Sequence, residues 1–414
     1  MADSPPVALY IHFPFCVSHC PYCDFVVVAG REARGPANRV AAFVAALEVE
    51  LGVRADALDA RWGAPGSRPP LASLYLGGGT PSLLPAPTIA RLIELVRRRF
   101  GLATDAEVTL EVNPGPDERG DARAQHDAGV TRLSIGAQSF DTGELRRLGR
   151  RHDPADVVAT VAAARAAGIP SVSLDLLYDV PGSSLASWSR SLEGAIALEP
   201  DHVSLYALTL DDPDAEGLTA PSGDHLPVRP GARRWRDRAR AEQDDDRAAA
   251  MYERADRRLA AAGFAWYEIS NWARPGHPSR HNLAYWRRQP YEAVGPGAHA
   301  FDGTSRRWNA GRLDRYLAAL TPSDGSPPTL PPGGAETVDG AEGDFESVML
   351  ALRTADGVTP ASVGAAAWRR LAERLAAPIE AGLLEQAADG RLALTLRGRL
   401  LSNEVLGRLL PLAG

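Results

Sequence analysis

The chain has 414 residues, 45% of them hydrophobic and 23% charged, with a formal net charge of −7 at pH 7. That length holds a large core and at least one accessory domain, the composition is ordinary for a globular protein, and the negative balance argues against nucleic acid as a partner. All 45 basic residues are arginine, which excludes a lysine Schiff base and a Walker-type phosphate lysine.

Met1-Ala2-Asp3-Ser4-Pro5-Pro6 lacks the charged and apolar parts of a signal peptide, and no apolar run is long enough to span a bilayer. The expected location is cytoplasmic, with peripheral membrane association left open. Short apolar runs at 7–11, 74–76, 108–112, 133–135, 172–177 and 203–207 read as strands buried on both faces. Between them, 37–54, 87–100, 155–167 and 185–198 carry apolar residues at helical spacing. This alternation, with Gly or Pro at the joints, implies parallel strands and crossovers, hence an α/β fold built on a partial or complete barrel. Residues 211–246 are rich in Pro, Asp and Arg with little periodicity and read as an exposed, partly disordered excursion. A helix at 247–262, a strand at 264–269 and a linker at 321–344 follow. Helices at 345–352, 365–376 and 378–381 and a strand at 391–396 predict a small, mostly helical, winged-helix-like C-terminal domain. The predicted organisation is a core barrel over 1–210, an excursion and barrel-completing segment over 211–320, the linker, and a C-terminal domain over 345–414.

The strongest chemical signal follows the first strand: Cys16-Val17-Ser18-His19-Cys20-Pro21-Tyr22-Cys23, which contains every cysteine of the chain. Such clustering argues against a disulfide framework. Three thiolates at Cys-x3-Cys-x2-Cys spacing can hold a four-iron cluster and leave the fourth iron open. Zinc is the competing reading, with His19 as the fourth ligand; a pure electron-transfer cluster would want a fourth cysteine. At the end of the second strand, Leu76-Gly77-Gly78-Gly79-Thr80-Pro81 removes side chains where backbone can approach a small ligand.

Strand, cysteine loop and GGGTP in that order resemble the radical S-adenosylmethionine (SAM) superfamily. There the amino and carboxylate groups of SAM chelate the open iron of a [4Fe–4S] cluster, and an electron from the cluster splits the sulfonium. Glu111-Val112-Asn113-Pro114-Gly115, the segment 132–140, Leu148-Gly149-Arg150-Arg151-His152, the segment 175–182, the segment 203–208 and Tyr267-Glu268-Ile269-Ser270-Asn271-Trp272 extend the likeness over nearly the whole chain. Together they resemble the oxygen-independent coproporphyrinogen III oxidase group, and within it the HemW-type haem chaperone branch. The resemblance implies that Cys16, Cys20 and Cys23 ligate the cluster. It also implies that Tyr10, Tyr22, Gly78, Gly79, Thr80, Glu111, Gln138, Arg150, Asp175 and Ala207 line the SAM region. Glu111 and Gln138, at strand ends, suit ribose hydroxyls or a second ligand; Arg150 suits a carboxylate, and Asp175 is a candidate partner for Arg150. Asp179 stands where relatives often have glycine.

Two departures separate the branches. The oxidases carry a further cysteine two places beyond the third, where this chain has Phe25, and a longer N-terminal segment. The chaperone branch carries His-Asn-x-x-Tyr, matched by His281-Asn282-Leu283-Ala284-Tyr285. His and Tyr are both axial-ligand types for haem iron, and on a helix i and i+4 share a face. Arg280, Arg287 and Arg288 are then candidates for the propionates, and Trp286 for the ring; an ordinary packed turn is the competing reading. His12 and His299 read as structural hydrogen-bonders, and His126, His202 and His225 receive no role. The implied function is a haem chaperone with SAM and a [4Fe–4S] cluster as cofactors and haem as cargo. Its partners would be acceptor haemoproteins such as membrane respiratory enzymes and an electron donor, with a homodimer left open. Oxidative decarboxylation of coproporphyrinogen is the alternative; no catalytic residue is assigned.

Overall fold

The computed structural model describes residues 4–34, 38–363 and 365–409. Residues 1–3, and the predicted helix start at position 37, lie outside them. Six strands make the parallel centre: β1 (Ala8–Phe13), β2 (Leu71–Gly78), β3 (Leu102–Val112), β4 (Arg132–Gln138), β5 (Ser171–Tyr178) and β6 (His202–Ala207). They pair side by side in chain order. Parallel neighbours need crossovers, which are supplied by helices such as Ala86–Phe100 and Pro154–Ala167. The first buries Ile89, Leu92, Ile93, Val96 and Phe100, an apolar stripe at helical spacing. The second opens on a capping box between Asp153 and Asp156 and closes on Gly168 at φ 83°.

The sheet continues at both sides. Antiparallel β8 (Asn271–Ala273) and β7 (Ala265–Glu268) extend it past β6. On the other side β9 (Tyr291–Val294) runs parallel to β1, followed by antiparallel β10 (His299–Phe301), β11 (Ser305–Asn309) and β12 (Gly333–Thr337). Among the described residues the order is β12-β11-β10-β9-β1-β2-β3-β4-β5-β6-β8-β7, twelve strands whose two ends are not paired with each other. This is a partial barrel.

Three expectations need correction. The excursion at 211–246 carries the helix Pro230–Arg240, whose buried positions are Arg236 and Ala239. An arginine on the inner face hides the apolar periodicity that sequence reading relies on. The stretch expected as a linker contributes β12, in register with β11 from Ser305↔Thr337 to Asn309↔Gly333. The C-terminal part has its own core, including Val348, Leu352, Leu375, Leu384, Leu392 and Val405. It combines the helices Gly340–Leu352 and Ala365–Glu380 with a ribbon of β13 (Leu384–Gln386) and β14 (Leu392–Leu394). The break expected near Pro378 does not occur; that proline lies inside the second helix. Arg399 anchors this part to the barrel, 2.9 Å from Asp256 and over the Trp266 ring at 4.4 Å. Among the described residues no helix is long and apolar enough to cross a membrane.

Candidate functional site

The carboxyl ends of the parallel strands surround a cavity of about 560 Å³ whose walls include Cys16, Cys20 and Cys23. Phe15–Cys16 pairs with Val28–Ala29, closing the cysteine loop at its base. Its far side is held by Arg236, only 4% exposed. The Arg236 guanidinium donates to the carbonyls of Pro21 (3.1 Å), Tyr22 (3.1 Å), Cys23 (2.9 Å) and Asp211 (2.6 Å).

A hydrogen-bonded arc links the first two thiols. Cys16 Sγ lies 3.2 Å from Thr80 Oγ1, which accepts from Asn113 Nδ2 at 2.8 Å. Asn113 Oδ1 accepts from Arg150 Nη2 at 2.6 Å, and Arg150 Nη1 reaches Cys20 Sγ at 3.8 Å. Burial pushes the Cys16 thiol up to about 12 against the Thr80 bond, and pushes Cys23 higher still. Both thiols are therefore neutral until a metal displaces their protons. Among the described residues no three His, Cys, Asp or Glu side chains are grouped to hold a single ion, whereas thiolates that each take a separate iron need no such convergence. With an arginine poised beside one sulfur, this donor set fits an anionic thiolate-ligated cluster better than mononuclear zinc.

The glycine loop owes its composition to packing. A Cβ on Gly79 would lie 2.6 Å from the Phe15 carbonyl oxygen and 2.8 Å from that of Phe13. Gly78, at φ +105°, would set a Cβ 2.5 Å from the His12 ring. Close approach of β2 to β1 thus requires these glycines before any ligand does. The Gly78 N–H donates to Glu111 Oε2 at 2.9 Å, and the Tyr75 hydroxyl donates to Glu111 Oε1 at 2.8 Å. Burial raises the Glu111 carboxyl to about 7 in spite of both bonds. Gln138 ends β4 at φ 63°, a left-handed conformation that turns the chain at the cavity rim.

Of the ten residues expected around SAM, Tyr22, Gly78, Gly79, Glu111, Gln138, Arg150, Asp175 and Ala207 line the cavity. Thr80 stands behind them in the arc just described. Tyr10 does not line it; its hydroxyl is 3.1 Å from His12 Nδ1. The expected pairing of Asp175 with Arg150 is not found. Asp175 accepts from Ser134 Oγ at 2.9 Å, and the cation that acts on it is Arg132, buried in the same wall. Asp179 adopts φ 55°, the conformation that glycine would take there, and Arg247 Nε holds it at 2.7 Å.

The His281 motif is helical, over Arg280–Trp286, and β3 holds its start: Glu107 accepts from the backbone N–H groups of Arg280 (3.0 Å) and His281 (3.1 Å). His281 and Tyr285 do share a face, but they spend it on each other. His281 Nε2 lies 2.7 Å from the Tyr285 hydroxyl and Nδ1 lies 2.9 Å from Ser73 Oγ. The imidazole is 1% exposed, and burial lowers its pKa to about 3. Arg280, Arg287 and Arg288 are paired with Asp105, Asp356 and Glu346. In this conformation the motif offers haem neither a free imidazole nitrogen nor an unpaired guanidinium. Asn282 alone of the motif's polar side chains faces the cavity. The His281 ring packs against that of Tyr75, tilted by 35° at 5.0 Å between centroids, linking the motif to Glu111.

His12 and His299 are hydrogen-bonders as expected, to the Val26 carbonyl at 2.9 Å and to Asp224 at 2.6 Å. Asn113, Arg132, Asn282 and Arg236 went unrecognised in the sequence. The first three lie inside motifs already noted; Arg236 carries no sequence signal beyond its charge.

A family model described as "Radical SAM superfamily" matches residues 10–193, and one described as "HemN C-terminal domain" matches residues 343–401. The chain is 40% identical over 408 residues to the heme chaperone HemW of Mycobacterium tuberculosis, covering 98% of this chain and 95% of that one. It is 37% identical over 299 residues to that of Escherichia coli (72% and 71% covered) and 30% identical over 415 residues to that of Bacillus subtilis (97% and 98%). The solved coproporphyrinogen III oxidase of Escherichia coli, a radical SAM enzyme, shares the fold: the TM-score is 0.76 at 21% identity, over 99% of this chain and 91% of that one.

Proposed function

Because the chain belongs to the family of the heme chaperone HemW, within the radical SAM superfamily, we propose that it binds haem and delivers it to acceptor haemoproteins. The family brings a [4Fe–4S] cluster and SAM, and the three thiols, the polar arc and the cavity fit them. Such a cluster supplies one-electron chemistry at an iron with an open position. In this reading Cys16, Cys20 and Cys23 hold the cluster, and Thr80 and Arg150 hydrogen-bond two of the sulfurs. Glu111, fixed by Tyr75 and Gly78, receives the ammonium group of SAM; Gln138 takes ribose hydroxyls, and Arg132 and Asp175 bound the far wall. Cytoplasmic residence, respiratory acceptors and an external electron donor belong to the same proposal.

The observation that carries the chaperone reading over decarboxylation is Phe25. It stands 58% exposed at the cavity wall where the oxidase branch has cysteine. Hemin titration of anaerobically reconstituted protein, with iron and sulfide counted in parallel, tests it: a saturable Soret band at stoichiometric hemin is expected. Catalytic formation of protoporphyrinogen from coproporphyrinogen with SAM and reductant would overturn it in favour of the oxidase.

A further inference from the structure

The cysteine loop walls two cavities. Besides the barrel mouth, it borders a second space of about 550 Å³, completed by the excursion before Pro230 and by the segment around Leu313. Its size is that of a small-molecule site, and Cys23, Asp24, Phe25 and Val27 line both spaces. Phe25, Val28 and Leu226 give it an apolar surface, His19 an imidazole, and Arg229 and Arg312 cationic charge. The Arg229 guanidinium makes no hydrogen bond or ion pair among the described residues, and that of Arg312 has only a loose contact with Asp314 at 3.9 Å.

An apolar wall, a nitrogen donor and two weakly engaged guanidinium groups, set beside Asp24, Asp314 and the Glu32–Arg39 ion pair, together fit one kind of ligand: a planar apolar metal chelate bearing two carboxylates. A free phosphate would leave the apolar wall unused, and an acyl chain would leave Arg229 and Arg312 unmatched. The His281 motif has the opposite character, since its imidazole is enclosed and its arginines are paired. We propose that this second cavity is where the haem cargo docks, with His19 reaching the iron and Arg229 and Arg312 taking the propionates. The assignment rests on the chaperone reading above. Carboxylates bind guanidinium through strong charge-assisted bonds, so the two arginines act in affinity and His19 in the coordination sphere.

The test is hemin titration of anaerobically reconstituted protein, unaltered and as Arg229→Glu/Arg312→Glu, His19→Ala and His281→Ala, with cluster content and SAM binding measured on each. Neither guanidinium hydrogen-bonds the cysteine loop among the described residues, so the cluster and SAM binding of the double arginine variant should match the unaltered protein. Its hemin affinity should fall at least about tenfold. In His19→Ala the Soret maximum should move, as one axial ligand is lost. Unchanged affinity in the arginine variant would overturn this site while leaving the chaperone reading in place, as would a Soret band unmoved in His19→Ala but lost in His281→Ala. No saturable hemin binding by the unaltered protein would instead overturn the chaperone reading itself.

Discussion

Arg236→Ala removes one buried guanidinium and with it three donors to the cysteine loop, at Pro21, Tyr22 and Cys23, and a fourth to Asp211. A hydrogen bond to a charged group contributes about 1.5–3 kcal/mol. Water entering the vacated space recovers part of that, so the loop should lose about 3 kcal/mol of local stability. Its open population would then rise more than about a hundredfold. The reconstituted protein, challenged anaerobically with an iron chelator, should release iron faster by a similar factor if loop opening limits release. Arg236→Lys should fall between, because an ammonium cannot serve all four carbonyls from one position. Iron release within about twofold of the unaltered protein in Arg236→Ala, at an unchanged melting temperature, would refute this reasoning.

Three further predictions concern the glycine loop and the buried titratable groups. Gly79→Ala places a methyl against two backbone carbonyl oxygens and should cost about 1–3 kcal/mol in denaturant unfolding; an unshifted midpoint would contradict the packing account. Glu111, with its carboxyl raised to about 7 by burial, should bind the ammonium of SAM more tightly as pH rises through that value. Calorimetric titration from pH 6 to 8 should show this in the unaltered protein and not in Glu111→Gln; equal slopes would remove Glu111 from the site. His281, lowered to about 3 by burial, stays neutral in the fold while the unfolded chain takes up protons below its ordinary value. Stability from this group is therefore complete above about pH 6.5 and is lost on acidification, about 2 kcal/mol by pH 5. Glu111 and Glu268, both raised to about 7, act in the opposite sense. The comparison is therefore His281→Gln against the unaltered protein: the variant should lose about 2 kcal/mol less between pH 7 and 5, and parallel losses would count against burial as the cause.

The parallel strands were legible because one face of each is apolar, with Leu74, Leu76, Val172 and Leu174 all buried, whereas the other face, expected to be apolar as well, carries buried Ser73, Thr109, Ser134 and Ser173. Their ends were not. The expected strand at 74–76 runs from Leu71 to Gly78 because its last residues stay in register with β1, where Phe13 faces Gly78, while their sequence reads as a turn. The cysteine loop, the glycine loop and most of the cavity wall were found from motifs. Partnership among them was not: Asp175 accepts from Ser134, and Arg150 spends its guanidinium on Asn113 and the Gly136 carbonyl, because position along a strand does not reveal which neighbour a long arginine reaches. Helical spacing placed His281 beside Tyr285, yet could not tell that the two would bond to each other beneath Ser73. The excursion shows the limit most clearly, since its one inward-facing guanidinium looks in sequence like any other charge in a solvated stretch.

Residues 23–27 form a partition with a compartment on each side. A thin divider cannot be stiffened from one side alone. If assembly of the iron–sulfur centre orders it, any guest in the neighbouring compartment meets a firmer boundary, and by linkage that guest must steady the metal centre to the same extent.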